Sequence, residues 1–145
     1  MIGSPNTATA DPPVSRPATT PCAVQLFSGV AFADFSPKPF VYTPPAGCPG
    51  PWARVVLEAD FSVSAGRQFD RTAQIAIGHA NVYYGTTPEP SATVSPSWHV
   101  ERDLTDYSPL FAAAQSGETN LGNLVNPTFT GIITGSARLL FYPLA

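Results

Sequence analysis

Arg54-Val-Val-Leu-Glu-Ala-Asp-Phe-Ser-Val63 is the stretch on which the fold reading turns. Val55, Leu57, Ala59, Phe61 and Val63 fall on one side at a period of two, and Arg54, Glu58, Asp60 and Ser62 share the other. Successive side chains of a strand point to opposite sides of the pleat, so this pattern describes a strand with one face on a core and one toward water. Val56 interrupts the polar face and marks a partly covered spot on it.

Working outward, Pro44, Pro45, Pro49 and Pro51 forbid regular structure just before Trp52. Upstream of them, residues 24–27 and 40–43 read as strands. Downstream, residues 73–77 and 82–84 form two more around Gly78-His-Ala-Asn81, a hairpin-like connection, and a proline-rich loop follows at 86–91. Residues 98–102 alternate again. Asp106 is placed to cap a short helical turn over 107–114, ended near Gly117. The last strands are expected at 121–125, 129–133 and 137–142. About eight short strands, one helical turn and no βαβ rhythm predict an all-β, antiparallel β-sandwich, most simply of jelly-roll type.

Composition agrees with that class. The 145 residues are 43% hydrophobic and only 12% charged, with 17 prolines and 11 glycines, a mixture suited to many strands and turns rather than long helices. Net charge is −3 and no Lys/Arg cluster exists, so there is no electrostatic footprint for nucleic acid or for an anionic membrane surface. No apolar run approaches the roughly eighteen residues that span a bilayer. The start, Met1-Ile-Gly-Ser-Pro-Asn-Thr, has neither the basic nor the apolar region of a signal peptide. Residues 1–21 are rich in Pro, Thr, Ser and Ala with almost no large apolar side chain. They are expected to form a disordered or loosely attached arm before a domain spanning 22–145.

Cys22 and Cys48 each sit beside proline or glycine at a turn. Sparse charge, low lysine and a bridge between them would fit a secreted protein, the bridge stabilising by about 3 kcal/mol. Two free buried thiols in a cytosolic protein is the other reading. His79 and His99 lie at no recognised metal-ligand spacing from the cysteines, and no metal site is expected.

Several segments, in order, resemble the peptide N-glycosidase A family: Val24-Gln-Leu-Phe27, Tyr42-Thr-Pro-Pro45, Cys48-Pro-Gly-Pro-Trp52, Glu58-Ala-Asp-Phe61 and Gly66-Arg-Gln-Phe-Asp-Arg71. The similarity continues through Gly85-Thr-Thr-Pro-Glu-Pro90, Trp98-His-Val-Glu-Arg-Asp-Leu-Thr-Asp106 and Leu139-Leu-Phe-Tyr142. The resemblance implies a relative of bacterial N-glycosidase F, built from two jelly rolls with the active site between them. It implies hydrolysis of the amide joining N-acetylglucosamine to asparagine in an N-glycosylated peptide or protein, with no cofactor. It further implies a partner, a second jelly-roll domain or associated heavy chain, that carries a second carboxylate. The aromatic-Asp-Arg motif of the bacterial relative falls on Phe69-Asp70-Arg71, which makes Asp70 the expected catalytic carboxylate. A third acidic position of that relative falls near Val125-Asn126, where no acid occurs.

The chemistry suits those residue types. A carboxylate positions or deprotonates the attacking water or protonates the leaving nitrogen, a contribution of about 10²–10⁴-fold. A guanidinium such as that of Arg71 holds the carboxylate ionised or binds an oxygen through its planar fork. Around this pair, Glu89 in a proline-bounded loop, Trp98 as a stacking surface for a sugar, and Glu101 on a polar strand are supporting candidates. Their structural alternatives are a solvated loop acid, a core tryptophan and a cross-strand ion pair. The rival function is a glycan-binding jelly roll without turnover, because the fold hosts both.

Overall fold

The Arg54–Val63 alternation lies within a strand in the computed structural model, which describes residues 12–64 and 66–145. In chain order the strands are β1 (Cys22–Phe32), β2 (Lys38–Tyr42), β3 (Trp52–Ser64), β4 (Thr72–Ile77), β5 (Ala80–Thr86), β6 (Ser97–Asp103), β7 (Gln115–Asn120) and β8 (Ile132–Pro143). One 3-10 helix, Thr105–Ala112, lies between β6 and β7. The strands form two antiparallel four-stranded sheets, ordered β1-β8-β3-β6 and β2-β7-β4-β5.

The apolar side of β3 is wholly buried. Its partner β8 contributes Ile133, Ala137, Leu139 and Phe141 to the same core, and β4 answers from the other sheet with Ala73, Ile75 and Ile77. Aromatic rings fill one end: Phe111 of the 3-10 helix packs 5.5 Å from Tyr42 and 5.9 Å from Phe141. The Tyr42 hydroxyl donates to the Phe111 carbonyl at 2.7 Å, and burial pushes its pKa up to about 12. β1 keeps both Leu26 and Phe27 inside by bulging. The Gln25 amide closes that irregularity by donating to the carbonyls of Phe27 and Ala137.

Three local expectations are corrected. The helix starts after Leu104 with no side-chain cap, so Asp106 lies inside its first turn. The turn is closed instead by Asp103, whose carboxylate accepts from the Thr105 amide and hydroxyl. Residues 121–131 are a loop, so there is no strand at 121–125, and the strands expected at 129–133 and 137–142 are one, β8; the strand before the loop is β7 at Gln115–Asn120.

The third correction concerns the arm, of which residues 1–11 lie outside the described residues. Residues 12–21 are not loose. Val14 packs with Val56, Leu140 and Tyr142 in a second apolar cluster on the outer side of the first sheet, which is why Val56 is fully buried on an otherwise polar face. Arg16 reaches Glu58 at 2.6 Å, and the Thr19 hydroxyl donates to the Pro143 carbonyl at 3.1 Å. The ordering cost of the arm is offset by several contacts together: Val14 packing, the Arg16 ion pairs, and hydrogen bonds from the Val14 amide and the Thr19 hydroxyl.

Cys22 and Cys48 are joined in a disulfide with Cα atoms 6.4 Å apart, tying the start of β1 to the proline-rich loop before β3. Its reduction is expected to lower stability by about 3 kcal/mol without loss of the sheets, checked by urea unfolding of oxidised and reduced protein followed by circular dichroism.

Candidate functional site

The link from β3 to β4 crosses between the sheets and carries Gly66 through Arg71. It is fixed by close backbone approach. Gly66 has φ 121°, and a Cβ there would fall on the Thr130 hydroxyl. A Cβ on Gly131 would sit 2.6 Å from the Gly66 carbonyl oxygen and 3.2 Å from the Gln68 Cβ. The Gly131 amide donates to the Arg67 carbonyl at 3.1 Å, pinning this link to the start of β8.

Gln68, 1% exposed, points inward and binds the facing loop. Its amide nitrogen donates to the carbonyls of Leu124 (2.6 Å), Phe129 (3.3 Å) and Gly131 (3.1 Å). Its oxygen accepts from the Phe69 amide at 3.1 Å and from Arg71 Nη2 at 2.8 Å. Asn123, fully buried, donates to the carbonyls of Phe32 and Gly131 and accepts from Arg71 Nε at 3.2 Å. The Arg71 backbone is held by Thr87, whose hydroxyl accepts from the Arg71 amide and whose own amide donates to the Arg71 carbonyl, each at 2.8 Å. The Arg71 guanidinium lies 5.5 Å over the Phe69 ring, which packs 4.5 Å from Phe129, with Arg67 over the far ring at 5.6 Å.

Asp70 is exposed, and with Arg71, Phe35, Thr72, Thr86 and Gly122 it lines an open depression of about 440 Å³. Phe35 is displayed there by a turn in which the Asp34 carboxylate is held far below the usual range by hydrogen bonds from Lys38 and Ser36. Phe35, Phe69 and Leu124 are 66%, 42% and 48% exposed, so the charged pair has apolar neighbours open to solvent. Among the described residues no second carboxylate lines this depression.

The structure thus brings Asp70 and Arg71 together and separates the other candidates from them. Trp98 is a core residue, 8% exposed and stacked 5.3 Å from Phe61; its even position on β6 points it inward, away from any ligand on the surface. Glu89 is exposed in the loop after Thr87 and is not among the described residues that line the Asp70 depression. Glu101 belongs to an ion-pair network on the outer side of the first sheet. There His99 bridges Asp60 (Nδ1, 2.7 Å) and Glu101 (Nε2, 2.8 Å), while Arg16 reaches Glu101 at 3.1 Å and the Val14 amide donates to it at 2.8 Å. Arg138 pairs with Glu58 at 2.7 Å. Glu58, His99 and Glu101 bring ligand-type atoms within 4.8 Å of one another. Both acids are already compensated by arginine, which makes this a polar clasp for residues 12–16 rather than a cation cradle. A second depression, about 480 Å³, lies at the opposite end of the sandwich beside Trp52, Pro44, Pro109 and the disulfide, and among the described residues no titratable side chain lines it.

Gln68 and Asn123 were absent from the sequence-level candidates. Nothing in their types marks them; only long-range backbone partners reveal them. The loop in which the resemblance sought a third acid supplies the neutral Asn123 instead.

With the geometry in place, the chain can be classed as an all-β sandwich presenting an exposed carboxylate beside a fixed arginine. It belongs to the family described as peptide N-acetyl-beta-D-glucosaminyl asparaginase amidase A, whose model matches residues 10–143. It is 33% identical over 136 residues to the peptide-N4-(N-acetyl-beta-glucosaminyl)asparagine amidase A of Prunus dulcis, a match covering 90% of this chain and 23% of that relative. The chain therefore spans under a quarter of the relative's length. Among solved structures, a turnip yellow mosaic virus chain (15% identity, 94% of this chain and 87% of that one, TM-score 0.37) shows a weak likeness that carries no argument here. The same holds for infectious bursal disease virus Gx strain (11%, 91% and 37%, TM-score 0.38).

Two outcomes follow from this geometry. Gly131→Ala is expected to destabilise by about 1–3 kcal/mol through the clash with the Gly66–Gln68 backbone, measured by denaturant unfolding. The clasp makes stability depend on pH. Burial disfavours charge on His99, but hydrogen bonds to Glu101 and Asp60 outweigh it and raise its pKa above 6.5. Burial likewise opposes the Glu101 carboxylate, but His99, the Val14 amide and Arg16 outweigh it and lower its pKa below 4.5. The histidine contribution is complete below 6.5 and disappears as pH rises through its raised value; the glutamate contribution is present above 4.5 and disappears as pH falls through its lowered one. Stability is expected to peak between those values, with His99→Gln flattening the alkaline limb and Glu101→Gln the acid limb in unfolding curves taken across pH.

Proposed function

We propose that this chain is the Asp70-bearing domain of a glycoamidase that hydrolyses the amide between N-acetylglucosamine and asparagine in N-glycosylated peptides and proteins. The observation that carries the reading is the exposed Asp70 carboxylate beside an arginine fixed from behind by buried amides, in a chain of the amidase family. Asp70 activates the attacking water or protonates the departing nitrogen, and Arg71 binds an amide or sugar oxygen. The reaction calls for no cofactor.

The depression is half a site. A second carboxylate and the cover for Phe35, Phe69 and Leu124 come from a partner, a second domain or associated heavy chain, consistent with the chain's share of the almond relative. The strand orders β1-β8-β3-β6 and β2-β7-β4-β5 support reading the sandwich as a jelly roll. The disulfide supports an extracellular, secreted setting, and no helix among the described residues is long and apolar enough to cross a membrane.

The test is glycan release from a denatured N-glycopeptide by this chain, alone and mixed with the carboxy-terminal remainder of a longer family member. Release is expected from the mixture only, falling at least about 10²-fold with Asp70→Asn. Release that survives Asp70→Asn would overturn the assignment of Asp70. Glycopeptide binding without release from a stable complex would make the chain a glycan-binding module instead.

A further inference from the structure

We infer that Gln68 and Asn123 are positioning residues for Arg71, two buried neutral amides that grip its guanidinium by one edge and leave its charge uncompensated at the Asp70 depression. The inference rests on the reading of Arg71 as a binder of substrate oxygen.

The grip is two-point. Nε donates to Asn123 Oδ1 and Nη2 to Gln68 Oε1, two in-plane N–H groups along one edge of the guanidinium. The Phe69 ring under the guanidinium restrains it from below. A long arginine side chain ordinarily samples many rotamers; here the edge contacts and the ring remove that freedom before any ligand arrives. The amides are themselves immobile, because each spends its donors on backbone carbonyls of the segments that meet beside the site. Asn123 binds Phe32 and Gly131; Gln68 binds Leu124, Phe129 and Gly131.

The choice of partner is what points beyond structural glue. An arginine is most simply fixed by a carboxylate, as Arg16 and Arg138 are fixed by Glu58 in this same chain. Arg71 makes no ion pair among the described residues and is fixed by two amide oxygens instead. Amide dipoles orient a guanidinium without cancelling its charge, so Arg71, itself part of the depression's lining, keeps its attraction for an oxygen that becomes negative as an amide carbonyl is attacked.

The experiment has a spectroscopic arm and a ligand arm. In the isolated chain, the Arg71 Nε–H signal by nuclear magnetic resonance should exchange with water at least about tenfold more slowly than that of Arg67, which stacks on Phe129 at the exposed end of the aromatic pile. Asn123→Ala should abolish the difference while the β3–β8 backbone amides stay protected; Asn123→Ser serves if the alanine variant fails to fold. Protection of Arg71 Nε–H that survives both changes would overturn the inference.

In the ligand arm, titration with an N-glycopeptide should show Asn123→Ala weakening the interaction about tenfold in the wild-type background and less than about twofold in an Arg71→Lys background, whose ammonium has no Nε–H to hold. Equal losses in both backgrounds would show that Asn123 acts as a merely structural residue and would overturn the inference. If the wild-type chain neither binds nor, with its complement, turns over the glycopeptide, the glycoamidase reading fails, while the exchange measurement still decides whether the amides position Arg71.

Discussion

Everything in this molecule hangs on the pairing of β3 with β8. The two strands run antiparallel from Ser64 opposite Ile132 to Trp52 opposite Pro143, and they are the two central strands of their sheet. Between them they supply most of the first sheet's inward side chains. Because β3 begins beside the disulfide loop and ends at the link to β4, its rigidity is transmitted to both ends of the sandwich. At one end the aromatic pile of Tyr42, Phe111 and Phe141 fills the core. At the other, Gly131, the residue just before β8, packs on Gly66, the residue that opens the link carrying Asp70 and Arg71. The candidate site is therefore set by strand register, with little left to loop flexibility.

How much of this was readable in the chain depends on the range of the interaction. The inside and outside of β3 were legible because a half-buried strand writes its environment into a period of two. Asp70 and Arg71 are singled out by a short motif and the family resemblance, and both line one depression. The loop at 121–131 was mistaken for strands because Leu121, Val125 and Phe129 suit a sheet by type, while the carbonyls of Leu124, Phe129 and Gly131 are bound by the side chains of Gln68 and Asn123. The bonds from Gln68 to this loop, and from Asn123 to Phe32, join residues more than fifty positions apart and leave no periodic trace. Trp98 was ambiguous for the opposite reason: an aromatic on an alternating strand has the same local signature whether it faces a sugar or a core.

The electrostatics divide the surface into two regimes. On the outer side of the first sheet, Glu58 and Glu101 meet Arg16, Arg138 and His99, and every charge finds its opposite. That compensation holds residues 12–16 in place and accounts for how a segment with a single apolar anchor is ordered. Around Asp70 the opposite holds: the cation is oriented by dipoles and the carboxylate faces solvent. Compensated charge makes structure, whereas uncompensated charge held rigidly is available to a ligand.

The sheet order described above also leaves β1, β6, β2 and β5 as outer strands among the described residues. None offers a long, flat ladder to a neighbouring molecule. β1 is broken by two register shifts, β2 is five residues long and contains Pro39, β6 carries His99, Glu101 and Arg102, and the β4–β5 pair has its own irregularity. Hydrogen-bonded stacking of copies edge to edge is thereby discouraged. The consequence is a division of labour within one small sandwich: its outer strands are irregular, short or charged and so resist stacking edge to edge, while Phe35 and Phe69 stand exposed beside Asp70, where contact with another surface is wanted.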